Sequence, residues 1–146
     1  MTPYSDLYEK TVIKINDPDI KLMAKKQPET LAQWCKEWFL SAISRMQMDS
    51  LNIKTDLSNR DDEQEIFKED LEEYEKEVIS LYMVAEWYSP QVDSLQHTSL
   101  FIGTKEAKFN NQGNHMASLR QRQKELRSEA RRMVERYKYH NGEYTS

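Results

Sequence analysis

Between Leu31 and Met46 the apolar residues fall at positions 31, 34, 35, 38, 39, 42, 43 and 46. This 3-1-3-1 spacing follows one face of an α-helix through four turns, and no strand, with its two-residue period, reproduces it. Pro28 suits the first helical position. So broad a stripe needs other elements to cover it. Trp34 and Trp38 read as core rather than as a stacking platform, because apolar neighbours continue on both sides.

Other helices follow from the same periodicity. The first is expected from Pro3 to Ile15, with Thr2 as its cap and Tyr4, Leu7, Tyr8, Val12 and Ile15 on its apolar side. Asn16-Asp17-Pro18 ends it, and Asp17 with Pro18 starts a short turn or helix through Ile20, Leu22 and Met23. A helix from Asp70 carries Tyr74, Val78, Leu81, Tyr82, Ala85 and Tyr88, and Asp70 with Glu73 resembles a capping box. Ser89-Pro90 predicts a kink or restart before it runs on to about Gln96. The last helix is expected from Asn114 to Tyr139. Its seam of Met116, Leu119, Gln123, Leu126, Ala130, Met133 and Tyr137 is spaced 3-4-3-4, as in a coiled coil. The expected core comprises Trp34, Trp38, Phe39, Ile43, Leu81, Tyr82, Trp87, Leu119, Leu126 and Met133.

With three Gly and four Pro in 146 residues, few turns are available. The expected fold is all-α: a helical bundle of three to four main helices, two long interaction loops and an extended basic C-terminal helix. One helical domain spans 1–139 and a short polar tail 140–146. The loops are residues 49–69, polar and acidic without a period, and 97–114, where Leu100, Phe101, Ile102 and Phe109 interrupt a polar run. Connections of this length are interaction elements or solvated loops.

Charge is segregated along the chain. Residues 56–77 hold eleven acidic and three basic side chains, a net of −8; residues 120–138 hold eight basic and three acidic, a net of +5. The whole chain is at −4, which disfavours whole-surface binding to nucleic acid or anionic lipid. One cysteine, Cys35, forms no internal disulfide, and its place on the apolar stripe reads as buried and inert. MTPYSDLYEK has neither a basic nor an apolar leader region, so no secretory signal is expected. No apolar run approaches the roughly 20 residues that span a bilayer, so no membrane partner is expected.

No residues assemble into a catalytic pattern. His97, His115 and His140 lie far from one another and from metal-ligand spacing, and Gly103, Gly113 and Gly142 stand alone rather than in a phosphate loop. The chain is expected to be no enzyme and to need no metal or cofactor. Three readings remain for the basic helix. It pairs with the acidic block of another copy, it neutralises nucleic-acid phosphates, or it is an ordinary solvated helix. Glu125, Glu129 and Glu135 dilute it for phosphates.

Four segments together carry a family pattern: MTPYSDLYEKTVIKI at the start, WFLSAISRMQM at 38–48, DDEQEIFKEDLEEYEKEVISLYM at 61–83, and GTKEAKFNNQGNHMASLRQRQKELRSEARRMVERYKY at 103–139. In this order they resemble the small head-tail connector (adaptor, or neck) proteins of tailed bacteriophages. The resemblance implies a ring, commonly of twelve copies, docked under the portal protein at the capsid vertex of the virion. Such a ring extends the channel for double-stranded DNA towards the next neck or tail protein. It also implies a portal contact in the tail, through Tyr137, Tyr139, His140 and Tyr144. Subunit contacts are expected from Glu69, Glu72, Glu73, Phe101, Lys105, Phe109, Arg120, Arg127, Arg131 and Arg132.

Overall fold

Asp17 is the clearest local start signal in the folded chain: its carboxylate accepts the backbone N–H of Asp19 at 2.8 Å, and Pro18 follows as the first helical residue. A computed structural model describes residues 1–101 and 106–140, with side chains described for 1–89 and 117–138. The elements in chain order are β1 (Thr2–Pro3), α1 (Tyr4–Lys14), α2 (Pro18–Lys26), α3 (Pro28–Met48), β2 (Arg60–Asp61), β3 (Ile66–Phe67), α4 (Glu73–Phe101) and α5 (Glu106–His140). The chain is mostly helical, as expected, but it also carries a small sheet that the all-α reading left out.

The sheet has the order β1-β3-β2 and is antiparallel throughout, with Thr2 and Arg60 both opposite Phe67, and Pro3 and Asp61 both opposite Ile66. Part of the expected loop at 49–69 is therefore a hairpin with a four-residue connection, 62–65. Within it Asp61 Oδ1 accepts the N–H groups of Glu63 and Gln64. Tyr4 N donates to the Glu65 carbonyl at 2.8 Å, extending the ladder into α1. Thr2 does not cap α1: its hydroxyl donates to the Glu69 carbonyl and accepts the Leu71 N–H, tying the start of the chain to the approach to α4.

Aromatic packing holds the sheet to the helices. Phe39 of α3 lies 4.3 Å from Tyr4 and 5.6 Å, edge-on, from Phe67 by ring centroid, and all three are fully buried. The stripe on α3 buries Leu31, Cys35, Trp38, Phe39, Ala42, Ile43 and Met46. Trp34 departs from the expected core and is 42% exposed. Near the start of α3 the neighbouring residues come from α1 and α2 and lie on the Leu31–Cys35 side of the stripe.

The end of α3 is a Schellman motif. Ser50 takes a positive φ of 54°, Leu51 N–H reaches the Met46 carbonyl at 2.9 Å, and Ser50 N–H reaches that of Gln47 at 3.1 Å. A Cβ is unfavourable in this left-handed conformation, whereas glycine adopts it freely. Ser50→Gly is expected to raise stability by about 0.5–1 kcal/mol in urea unfolding; a loss would contradict the assignment.

Helices α4 and α5 run antiparallel. Tyr74 stacks on Tyr137 at 3.8 Å, while Gln123 reaches Ala85 and Ser89 further along. The start of α4 lies later than expected: Glu75 Oε1 accepts Glu72 N–H at 3.0 Å, so the reciprocal half of a capping box sits on Glu72 and Glu75, while Asp70 faces the Met1 amino group. The α4 backbone stays helical through Pro90, without a restart. The second long loop is also shorter than expected. Residues 97–101 and 106–114 are helical, and the connection between the helices, 102–105, lies outside the described residues.

Along α5 the buried seam is Leu119, Gln123, Leu126, Ala130 and Val134. The expected 3.5-residue period drifts by its last turn: Val134 is buried, while Met133 and Tyr137 are half-buried. A straight helix drifts in this way against a heptad pattern. Leu81 and Tyr82 are buried as expected and Trp87 is half-buried.

Candidate functional site

The residues with chemistry to offer are charged, and they divide by element. Helix α5 presents Arg120, Lys124, Arg127 and Arg131 at intervals of four, three and four, which places them on one face beside the buried seam. This face meets the last turn of α3 in an open groove of about 540 Å³, where Arg45 and Asp49 complete the lining and Tyr82 lies at the wall. Asp49 is the organiser: its Oδ2 accepts the Tyr82 hydroxyl at 2.8 Å, and its carbonyl accepts Arg131 Nη2 at 2.7 Å.

Two guanidinium groups in this groove are incompletely satisfied. Arg45 Nε lies 3.4 Å from Asp49 Oδ1 without hydrogen-bonding alignment, and Arg127 Nη2 reaches Glu86 Oε1 only at 3.5 Å. The Nε atoms of both arginines are shielded from solvent and have no hydrogen-bond partner among the described residues. Burial holds the Glu86 carboxyl above the ordinary carboxylate range despite Arg127 and Arg45 nearby.

The acidic block is largely spent inside the chain. Glu72 pairs with Lys54 at 3.0 Å, Glu73 with Lys10 and Lys76, and Glu77 with Lys10 and Lys14. Glu75 is fully buried and accepts the Thr55 N–H and hydroxyl at 2.8 and 2.9 Å. At the hairpin, Asp62 accepts the Tyr4 hydroxyl and pairs with Arg60, and Glu65 accepts the Tyr8 hydroxyl. Glu63 and Glu69 remain exposed, with no ion pair among the described residues.

These pairings set the acid response. The Tyr4 hydroxyl and Arg60 hold the Asp62 carboxyl below its ordinary value, and the Tyr137 hydroxyl and Lys54 do the same for Glu72. Lys10 and Lys76 lower Glu73, and at Glu77 Lys14 and Lys10 outweigh a burial effect of opposite sign. A carboxyl lowered in the folded state stabilises it above the unfolded value and loses that contribution as pH falls through the folded one. Glu86, being raised, acts in the opposite sense. The urea midpoint is therefore expected to fall between pH 6 and pH 3, since these lowered carboxyls, joined by Asp56 and Asp70, oppose one raised group. An unchanged midpoint would contradict the pairings.

The sequence-predicted contact residues are distributed unevenly. Arg120 and Arg132 are exposed on α5, while Arg127 and Arg131 already hold partners within the chain. Tyr137 stacks on Tyr74 and hydrogen-bonds Glu72, which secures the end of α5 to the start of α4. The side chains of Phe101, Phe109, Tyr139 and His140, and the whole of Lys105 and Tyr144, lie outside the described residues. Arg45 was missed; its signal is its spacing of four from Asp49 at the end of a strong helix.

A second groove, apolar and of about 500 Å³, lies between α1, α2 and α3 and is lined by Tyr8, Val12, Ile13, Leu31 and Cys35. Burial pushes the Cys35 thiol up to about 12, so it carries almost no thiolate near neutral pH and is a poor nucleophile. Among the described residues no group of three or more His, Cys, Asp or Glu side chains converges to hold a metal ion, and no helix is long and apolar enough to cross a membrane. The chain matches no protein-family model, no curated protein and no solved structure.

Proposed function

We propose that this chain is a structural adaptor subunit that forms a ring on the portal of a tailed bacteriophage and extends the DNA channel towards the tail. The observation that carries this reading is the placement of opposite charge on different elements. The basic stripe lies on α5 beside the end of α3, and the acidic hairpin packs on α1 and the first half of α3. A ring is built from head-to-tail contacts, so every subunit offers two different, complementary surfaces. The sequence resemblance to small head-tail connectors supports the same reading. In it the copies number about twelve, as in the family the chain resembles. The tail from Tyr137 onward contributes to the portal contact, the next neck or tail protein binds the opposite end, and DNA passes without sequence-specific contact. Cryo-EM imaging of particles tests this: density for the chain is expected between portal and tail. Its absence from particles would overturn the proposal.

A second reading, a helical nucleic-acid-binding protein, is favoured by the stripe of Arg120, Lys124, Arg127 and Arg131 alone. It requires binding that weakens steeply as salt rises. A mobility shift on duplex DNA at low salt tests it, and no shift would remove it.

A further inference from the structure

We propose that the groove formed by Arg45, Arg120, Lys124, Arg127 and Arg131 receives the acidic hairpin tip, residues 61–65, of a second copy of this chain. The inference rests on the head-to-tail reading above and names the contact that makes it.

The groove is a site built for oxyanions. Five cationic side chains line it against one carboxylate, Asp49, and Glu86 approaches Arg127 from outside the lining. Two Nε–H donors, from Arg45 and Arg127, are removed from water without an acceptor, and a buried unmet donor is costly to leave. Those two atoms are shielded from an incoming carboxylate as well as from water, but they leave both guanidinium groups short of acceptors, and the Arg45 side chain as a whole is 42% exposed. An arriving carboxylate forms charge-assisted bonds, the stronger kind, with the accessible part of such planar guanidinium groups, which suit carboxylate geometry.

The chain's own hairpin cannot fill its own groove. The hairpin is held by the Tyr4 and Tyr8 hydroxyls and by Lys36, whose Nζ donates to the Asp62 carbonyl at 2.9 Å. Lys36 and Arg45 are separated by roughly 13 Å along α3. No ion pair among the described residues joins hairpin and groove. The tip, in contrast, is well suited to a neighbour. Glu63 stands exposed on it with no ion pair among the described residues, beside Asp62, which is exposed although its Oδ1 serves Tyr4 and Arg60, whereas Glu72, Glu73, Glu75 and Glu77 are occupied within the fold. An extended DNA backbone fits less well, because Glu125 and Glu129 flank the stripe on α5 and the whole chain is acidic.

Charge reversal with rescue tests the contact in the full-length chain. Arg120→Glu with Lys124→Glu alters two exposed groove positions; Glu63→Lys with Gln64→Lys alters two exposed tip positions. Wild-type protein at low salt is expected to associate in sedimentation equilibrium, and to dissociate as salt screens the contact. Each variant alone is expected to associate at least tenfold more weakly, and all four changes in one chain are expected to restore most of the loss. Melting followed by circular dichroism checks the fold; should the groove pair unfold, Lys124→Gln carries the same test with a smaller loss. The proposal is overturned by a wild type that stays monomeric, by a groove variant that associates like wild type, by four changes without recovery, or by a groove variant that loses only DNA binding. A groove variant still incorporated normally at the portal vertex would also overturn it and leave the ring reading standing, since imaging of particles decides that separately.

Discussion

Phe39→Ala is expected to lower the free energy of unfolding by about 3–5 kcal/mol in urea or guanidinium titration. Phe39 is fully buried between Tyr4 and Phe67, so one ring joins α3, the start of α1 and the hairpin. Its removal takes away the transfer energy of the ring and leaves a cavity that rigid helices on one side and a pinned hairpin on the other fill poorly. Domains of this size have a total stability of about 5–15 kcal/mol, so the variant retains a small margin or none. Trp34→Ala is the matched control. The larger residue sits on the same helix but is 42% exposed, so its loss is expected to cost much less than that of Phe39. Equal costs at the two positions would contradict the packing described for α3.

Glu75→Ala is expected to cost about 3 kcal/mol, although it removes a charged side chain from a strongly acidic segment. A simple charge argument gives the opposite sign, since relieving repulsion among Glu72, Glu73 and Glu77 would stabilise the fold. The geometry decides against it. Glu75 is fully buried, and its two oxygens accept the N–H groups of Thr55 and Glu72 and the Thr55 hydroxyl. Deletion orphans these donors and frees the segment around Thr55 from the start of α4. Glu75→Gln is expected to lose less, because its amide oxygen keeps one set of donors while its NH₂ faces the other. Amide hydrogen exchange at Thr55 is expected to accelerate in both variants. A Glu75→Ala protein as stable as wild type would show that repulsion outweighs the hydrogen bonds.

The contrast between Phe39 and Glu75 shows which parts of the fold were legible in the chain. Phe39 was visible because helical periodicity is local: Leu31, Cys35, Phe39 and Ala42 lie on one face whatever else the protein does. Asp17-Pro18 was visible for the same reason. The hairpin was not. Its strands have two residues each, too short to show a period, and their partners Thr2, Tyr4 and Tyr8 lie 57 to 67 residues away. The pair Ile66-Phe67, set among acidic residues, was the available signal.

The start of α5 was misread because Asn110, Asn111 and Gly113 are turn formers in isolation. The helix runs through them alongside α4, and a long antiparallel partner outweighs a cost of about 1 kcal/mol for an internal glycine. For the candidate site, the basic stripe was legible from composition and spacing. The groove was not, because Arg45 joins it from another helix. Nor was the internal pairing of Glu72, Glu73, Glu75 and Glu77, since charge counts do not distinguish a spent carboxylate from an exposed one.

The proposal that this chain works by assembling is tested most directly by native mass spectrometry of the protein produced together with its portal. One complex is expected, with a mass equal to the portal plus a closed set of adaptor copies, losing adaptors as salt is raised. A portal that emerges bare, with the adaptor candidate present only as a monomer, would contradict it.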